Sequence, residues 1–411
     1  PKFTPEQLQL CVYLTRVLLP AQIFFYVGGI VSAVLLSRKL FLFPAFGPLL
    51  YNVFIILGGV AAGHQLGIAS LAYGALLGSL VGPFLVNAVG AARVGTGYRP
   101  SFQISNKAFR EWVRLSIPLM LGVSLVTADD WILRYFASGG AGDITRLNYA
   151  KRLFAVPIAV LGQATGQASL PFFARIFGER RFEEFAATVS NSVCRISSLS
   201  FLATGWMMAA ALPFIDLVYR RGRFQFGDSR ETAVYFFWFA LSLAFWSAQA
   251  LYARAFYAAG DTLTPMVAST IITVASIPMY GFLFRTMSVT GLAIASDIGI
   301  VANTLAMAIL LDRKKLVPAG ILRWAELGKA LVTAVAAGLL SFGVSRVVRV
   351  NGSRAADVYA LAIVSITWAA AVAVGLWVTK SELPGDLRRR KRTAYPRVAE
   401  KQAEMSGGIE P

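Results

Sequence analysis

A chain of 411 residues that is 56% hydrophobic and only 15% charged is not an ordinary soluble domain, whose charged share runs at about 25%. The formal net charge of +18 suggests nucleic acid, but Lys and Arg fall in short clusters between apolar runs, the distribution of a membrane protein and not of a nucleic-acid binder. The runs are continuous, rich in Ala, Leu and Gly and free of period-two alternation, which argues against a spanning β-barrel.

About eleven runs reach the roughly 20 residues that carry a helix across a bilayer. In chain order they are 10–37, 43–63, 66–92, 110–138, 145–176, 184–212, 230–258, 264–285, 288–313, 324–348 and 355–379. The fold class expected is therefore all-α, a polytopic membrane bundle. Cys11 and Cys194 each lie inside an apolar run, far apart, so neither a disulfide nor a metal site is expected. His64, the single histidine, falls in a short polar break and reads as a loop residue.

Alternate connections differ in charge. One set carries Arg38-Lys39, Arg93 to Arg114, Arg175 with Arg180 and Arg181, Arg313-Lys314-Lys315 and the tail Arg388 to Arg392. The other set includes 61–67 and 137–142, which lack Lys and Arg. The positive-inside rule then places the C-terminus in the cytoplasm, with the tail run against anionic headgroups. Arg220, Arg221, Arg223 and Arg230 break the pattern, because they fall on the expected outside. Eleven spans with an inside C-terminus put Pro1 outside, and the chain starts Pro1-Lys2-Phe3 without Met, so an earlier helical segment is expected to be missing.

A helix, Arg, turn, Pro, helix pattern joins the first two spans through Ser32 to Arg38 and Phe43 to Pro48, and recurs from Leu251 to Pro265. Copies in the same orientation imply parallel repeats about an axis along the membrane normal. With a six-helix unit, the expected parts are a partial N-terminal lobe (1–100), a complete six-helix lobe (101–317), two extra spans (318–380) and a basic tail (381–411).

Charges inside spans are costly and are functional candidates. Asp129 and Asp130 lie in span 110–138 with Arg134 one turn on, either a structural ion pair or a proton- or cation-coupling carboxylate. Lys151 and Arg152 lie near the start of span 145–176, and either can line a cavity or snorkel to the interface. Gln163, Thr165 and Gln167 mark the same span as helix packing through side-chain hydrogen bonds, or as cavity lining. Arg254 and Asp261 flank a cytoplasmic helix end, as a gate contact or as plain interfacial charges. Pro20, Pro118, Pro157, Pro171, Pro213 and Pro278 are expected kinks or hinges. Gly28-Gly29 and Gly58-Gly59 are expected to permit close packing. No nucleophile–base set, P-loop or His/Cys cluster is present in the sequence, so neither an enzyme nor a cofactor is expected.

The motifs Thr15-Arg16-Val17-Leu18-Leu19-Pro20, Phe43-Pro44-Ala45-Phe46-Gly47-Pro48-Leu49-Leu50-Tyr51-Asn52, Tyr149-Ala150-Lys151-Arg152-Leu153, Val218 to Phe224, and Arg254-Ala255-Phe256-Tyr257 with Asp261-Thr262 and Thr264-Pro265 run in one order along nearly the whole chain. In that ordered set the chain resembles the MurJ/MviN family of lipid II flippases, within the multidrug/oligosaccharidyl-lipid/polysaccharide exporter superfamily. The resemblance implies a fourteen-helix fold of two six-helix lobes plus two helices, of which the first three are absent here with their cavity arginines and acidic residue. It implies that Arg152 is a central-cavity arginine suited to pyrophosphate. Lys151 departs from the acidic residue common there, and either adds charge to the cavity or faces the interface. Some members are thought to bind sodium in this lobe; span 264–285 here has no Asp, Glu or Asn, which points to protonation instead. The function implied is flipping of lipid II across the bacterial inner membrane, with lipid II, membrane lipids and other peptidoglycan-synthesis proteins as partners. Alternatives are another exporter of the superfamily, for lipid-linked oligosaccharide or for drug and cation, or a non-transporting cell-wall scaffold.

Overall fold

In the computed structural model, the described residues are 4–93 apart from 39 and 41, scattered positions between 95 and 113, and 129–137, 142–348 and 353–385. Most of span 110–138 and the basic tail from Arg388 to Arg392 lie outside them. Among the described residues the regular structure is helical throughout, without a strand. The chain divides into two units, Lys2–Phe109 and Arg110–Pro411.

The first unit holds α1 (Pro5–Leu18), α2 (Ala21–Ser37), α3 (Leu42–Leu66) and α4 (Ala69–Arg93). Helix α1 starts at a capping box in which Thr4 and Gln7 satisfy each other's backbone amides. It breaks at Pro20 before α2. Helices α3 and α4 meet across glycines: a Cβ at Gly74 would lie 2.6 Å from the Phe54 carbonyl oxygen, and one at Gly78 would lie 2.8 Å from that of Tyr51. With Gly82 these glycines recur every fourth residue on one face of α4, the small-residue spacing that lets membrane helices touch backbone to backbone. His64 lies in the last turn of α3 and is exposed, so it is helical and not in a loop, because the α3 pattern runs on to the tight turn at Gly67.

The second unit begins, within the described residues, with helical turns at 129–137, termed α5. It continues through α6 (Asp143–Gly178), α7 (Phe182–Ala209), α8 (Ala211–Tyr219), α9 (Phe226–Leu241), α10 (Leu243–Ala258), α11 (Leu263–Arg313), α12 (Trp324–Val347) and α13 (Arg354–Val378). Helix α6 passes through a π-helical stretch, Ile158–Ala164, just after Pro157, where the ring removes a backbone donor. Helices α7 and α8 are bent by 71° at Ala210, and α9 and α10 by 44° at Ser242. The 51 residues of α11 break at Ser288, whose φ of 54° and ψ of −140° are not helical. The two ends of α11 come together, since Lys314 Nζ bonds Asp261 at 2.5 Å and Thr264 Oγ1 at 2.7 Å. Helix α11 is thus a hairpin that contains the expected spans 264–285 and 288–313 in one element.

Seven helices, or nine if each bent pair is one span, are long and apolar enough to cross a bilayer among the described residues. Two apolar cores fill the second unit. One gathers Leu133, Phe154, Phe236, Phe239 and Leu292; the other gathers Phe173, Phe185, Leu251, Phe256 and Met307. The outer faces are apolar too: Leu339, Ile366 and Trp377 are all largely exposed, as expected where lipid and not water is the neighbour. Cys11 is exposed and Cys194 is buried, with the Cys194 thiol donating to the Arg323 carbonyl oxygen at 3.8 Å.

The end of the second unit opposite Lys314 explains part of the charge pattern. Asp216 and Asp357 are fully buried there, and Arg220 reaches both, at 3.3 and 3.4 Å. Ser229 Oγ donates to Asp216 at 2.7 Å. Arg146 at the same end meets Asp143, Asp228 and Glu231 at 2.9 to 3.1 Å. Arg220 sits on the expected outside because two buried carboxylates need a counter-ion, and an Arg neutralised in this way no longer carries the topogenic signal of a free cation.

Candidate functional site

A polar cluster in the apolar body of the second unit joins α5, α6 and α11. Lys151 projects from α6 between the two acids of α5, with Nζ 2.8 Å from Asp129 and 2.5 Å from Asp130. The Tyr280 hydroxyl, from the first arm of α11, donates to the other oxygen of Asp129. Ser296 Oγ, from the second arm, donates to Asp129 at 3.3 Å. The ammonium also lies 6.0 Å over the Phe239 ring, so it is held by charge on one side and a π face on the other. Asp129, Tyr280 and Ser296 border a cavity of about 90 Å³ that Ser269, Thr273 and Asn303 also line. Asp297, next to Ser296, is buried within reach of Ser242 at the α9–α10 bend and of Asp129.

The counter-charge of the acids therefore comes from Lys151 and not, as the helical spacing suggested, from Arg134. Arg134 is exposed on α5 and makes no ion pair among the described residues. One lysine bonds two carboxylates, and Asp297 brings a third acid within reach of Asp129, so acids outnumber the cation in this cluster. Span 264–285 has no acid, and it supplies the Tyr280 hydroxyl as a donor to Asp129.

Arg152 follows Lys151 but has a different environment. It is exposed and makes no ion pair among the described residues. It lies about 13 Å along α6 from Asp143, at 1.5 Å per residue, and within electrostatic reach of Tyr219, whose ring stacks on Tyr149 at 4.5 Å. Gln163 and Gln167 are also exposed, and Thr165 is half-buried. Close packing of this stretch runs through Gly166: a Cβ there would lie 3.3 Å from the Ala250 carbonyl oxygen, so α6 lies backbone to backbone on α10.

Asp261 is held by Lys314 and by the Thr264 backbone amide at 3.0 Å, while Arg254 lies over the Tyr257 ring at 5.4 Å. Both thus have partners inside the second unit. Tyr280, Ser296 and Asp297 did not emerge as candidates from the sequence. Asp297 was legible by the same rule that found Asp129, as an acid inside an apolar span. Tyr280 and Ser296 carry no such signal, because a hydroxyl in a span is common.

A family model described as "Lipid II flippase MurJ" matches residues 1–363. The probable lipid II flippase MurJ of Synechocystis sp. is 24% identical over 352 residues, covering 82% of this chain and 66% of that protein. That of Bdellovibrio bacteriovorus is 25% identical over 275 residues, covering 66% and 52%. The lipid II flippase MurJ of Burkholderia cenocepacia is 25% identical over 313 residues, covering 74% and 60%. The chain therefore spans between about half and two thirds of the length of these curated relatives. A solved structure, "Lipid II flippase MurJ, inward closed conformation", superposes with a TM-score of 0.72 at 18% identity over 91% of this chain and 76% of that one, a likeness of fold.

Proposed function

The chain belongs to the lipid II flippase MurJ family, and on that premise we propose that it moves lipid II, the undecaprenyl-pyrophosphate-linked peptidoglycan precursor, from the inner to the outer leaflet of the bacterial cytoplasmic membrane. The observation that carries this reading is the contrast between two adjacent cations on α6. Lys151 is committed to Asp129 and Asp130, whereas Arg152 is exposed and has no carboxylate among the described residues. A guanidinium stays charged in an apolar setting and grips phosphate oxygens in pairs, so Arg152 is the residue suited to a pyrophosphate. Lys151 then serves the acids and not the substrate.

Transport by this reading is alternating access, with the polyprenyl tail left in lipid and the headgroup carried through a cavity. The acid cluster is the coupling element. Its uncompensated carboxylate takes a proton or cation from one side and releases it to the other, and each charge moved across 100 mV contributes about 2.3 kcal/mol. Asp261 and Lys314 close the α11 hairpin at the cytoplasmic end, where the C-terminus also lies.

The test is genetic. In a strain depleted of its own flippase, the gene encoding this chain restores growth, Arg152→Lys restores it weakly, and Arg152→Ala fails at equal protein level. Normal growth with Arg152→Ala removes the arginine from the mechanism. Failure of the unaltered gene, with protein present in the membrane, contradicts the flippase reading and favours another exporter or a scaffold.

A further inference from the structure

Of the cations that break the charge pattern, Arg221, Arg223 and Arg230 remain unaccounted for, and Arg230 is the one that borders a cavity. It is exposed at the start of α9 and makes no ion pair among the described residues. It borders a cavity of about 420 Å³ formed by α7, α8, α9 and α12, within the 300–1,000 Å³ range of ligand sites. Arg346, from the last turn of α12, lines the same cavity, laid over the Phe342 ring at 4.8 Å and without a carboxylate among the described residues. The walls are apolar: Leu212, Val234, Trp238 and Phe342. The cavity lies at the end of the bundle opposite Lys314, the end where Arg146 and Arg220 are already neutralised by acids.

Two unneutralised guanidinium groups over an apolar trough at a membrane interface are complementary to an amphiphile with an anionic head and a hydrocarbon tail. We propose that this cavity is a binding site for one anionic glycerophospholipid, its phosphate between Arg230 and Arg346 and its upper acyl chain along Leu212, Val234 and Trp238. The bound lipid ties α8 and α9 to α12, one of the two helices beyond the six-helix lobe, and so links that pair to the lobe. This site involves none of the residues placed on the substrate, and its test is independent of transport.

The purified chain, stripped of lipid in detergent, is titrated with phosphatidylglycerol and with phosphatidylcholine, and retained adducts are counted by native mass spectrometry. Phosphatidylglycerol is expected to leave one retained adduct and phosphatidylcholine none. Arg230→Gln with Arg346→Gln weakens the adduct by about tenfold or more, the loss of one to two charge-assisted contacts. Val234→Trp, which fills the trough and keeps both arginines, weakens it as well. Arg285→Gln, an exposed arginine beside the Ser288 break at the same end but outside the cavity, leaves it unchanged. The proposal is overturned if the double variant retains the lipid, if phosphatidylcholine binds equally, or if a polyprenyl pyrophosphate lipid displaces phosphatidylglycerol at equal concentration.

Discussion

Lys151 illustrates how a single side chain decides the character of a site. Its ammonium is two-thirds or more covered and bonded to both Asp129 and Asp130. Removing it leaves two acids against each other in an apolar setting, which costs on the order of 1–3 kcal/mol for a partly exposed cluster. Lys151→Met is therefore expected to lower the melting temperature of the purified protein, and adding Asp129→Asn with Asp130→Asn to recover most of the loss; equal stability of the single variant would show the cluster to be idle. Asp261 gives a pH signature. Burial acts to raise its carboxyl, but the Lys314 ammonium and the Thr264 amide outweigh burial and hold it below the ordinary 3.8. A depressed acid stabilises fully above its unfolded value and loses that contribution as pH falls through the folded one. Wild type is thus expected to melt above Asp261→Asn at pH 6, by no more than about 1 kcal/mol for so exposed a pair, and the gap to close toward pH 3. A constant gap would contradict the assignment. The sequence made Asp129 and Asp130 visible as an excess of negative charge inside a span. The ion pair it offered was with Arg134, because helix spacing is the one proximity a sequence displays, whereas Lys151 lies 21 and 22 residues away on another helix.

Individual helices were legible where length and hydropathy alone decide. Spans 43–63, 324–348 and 355–379 correspond to α3, α12 and α13 within a few residues. Less legible was how helices touch. Gly58 was expected to allow close packing and does, with its Cβ position 2.7 Å from the Ser70 carbonyl oxygen, but the fourfold spacing of Gly74, Gly78 and Gly82 opposite it is the larger part of that contact. Gly78→Leu is expected to push α3 and α4 apart and to destabilise by about 1–3 kcal/mol, as overpacking does. A melting temperature within error of wild type would mean the two helices do not need this contact. The break in α11 was anticipated from apolar length, but not its conformation. Ser288 holds a backbone conformation that glycine adopts freely and other residues only under strain. Ser288→Gly should raise the melting temperature slightly, and a fall would show that the serine side chain is needed at the turn.

For the whole molecule, the motifs that pointed to the MurJ family were spread over nearly the entire chain, and the family match covers residues 1–363. That agreement rests on order and not on any one motif, since each is short. Arg220 breaks the expected charge pattern because net charge counts a cation whether or not an acid is buried beneath it; Asp216 and Asp357 arrive from α8 and α13, 141 residues apart. On α6 the fold separates two adjacent cations: Lys151 pairs with acids inside the unit, and Arg152 is exposed without a carboxylate among the described residues, which is the arginine we propose for an anionic ligand. The most direct measurement of that claim is binding of lipid II to the purified chain, compared with undecaprenol, which lacks phosphate, for the wild type, Arg152→Gln and Lys151→Gln. The account predicts that wild type prefers lipid II, that Arg152→Gln loses this preference, and that Lys151→Gln retains it. Equal binding of lipid II by wild type and Arg152→Gln would contradict it.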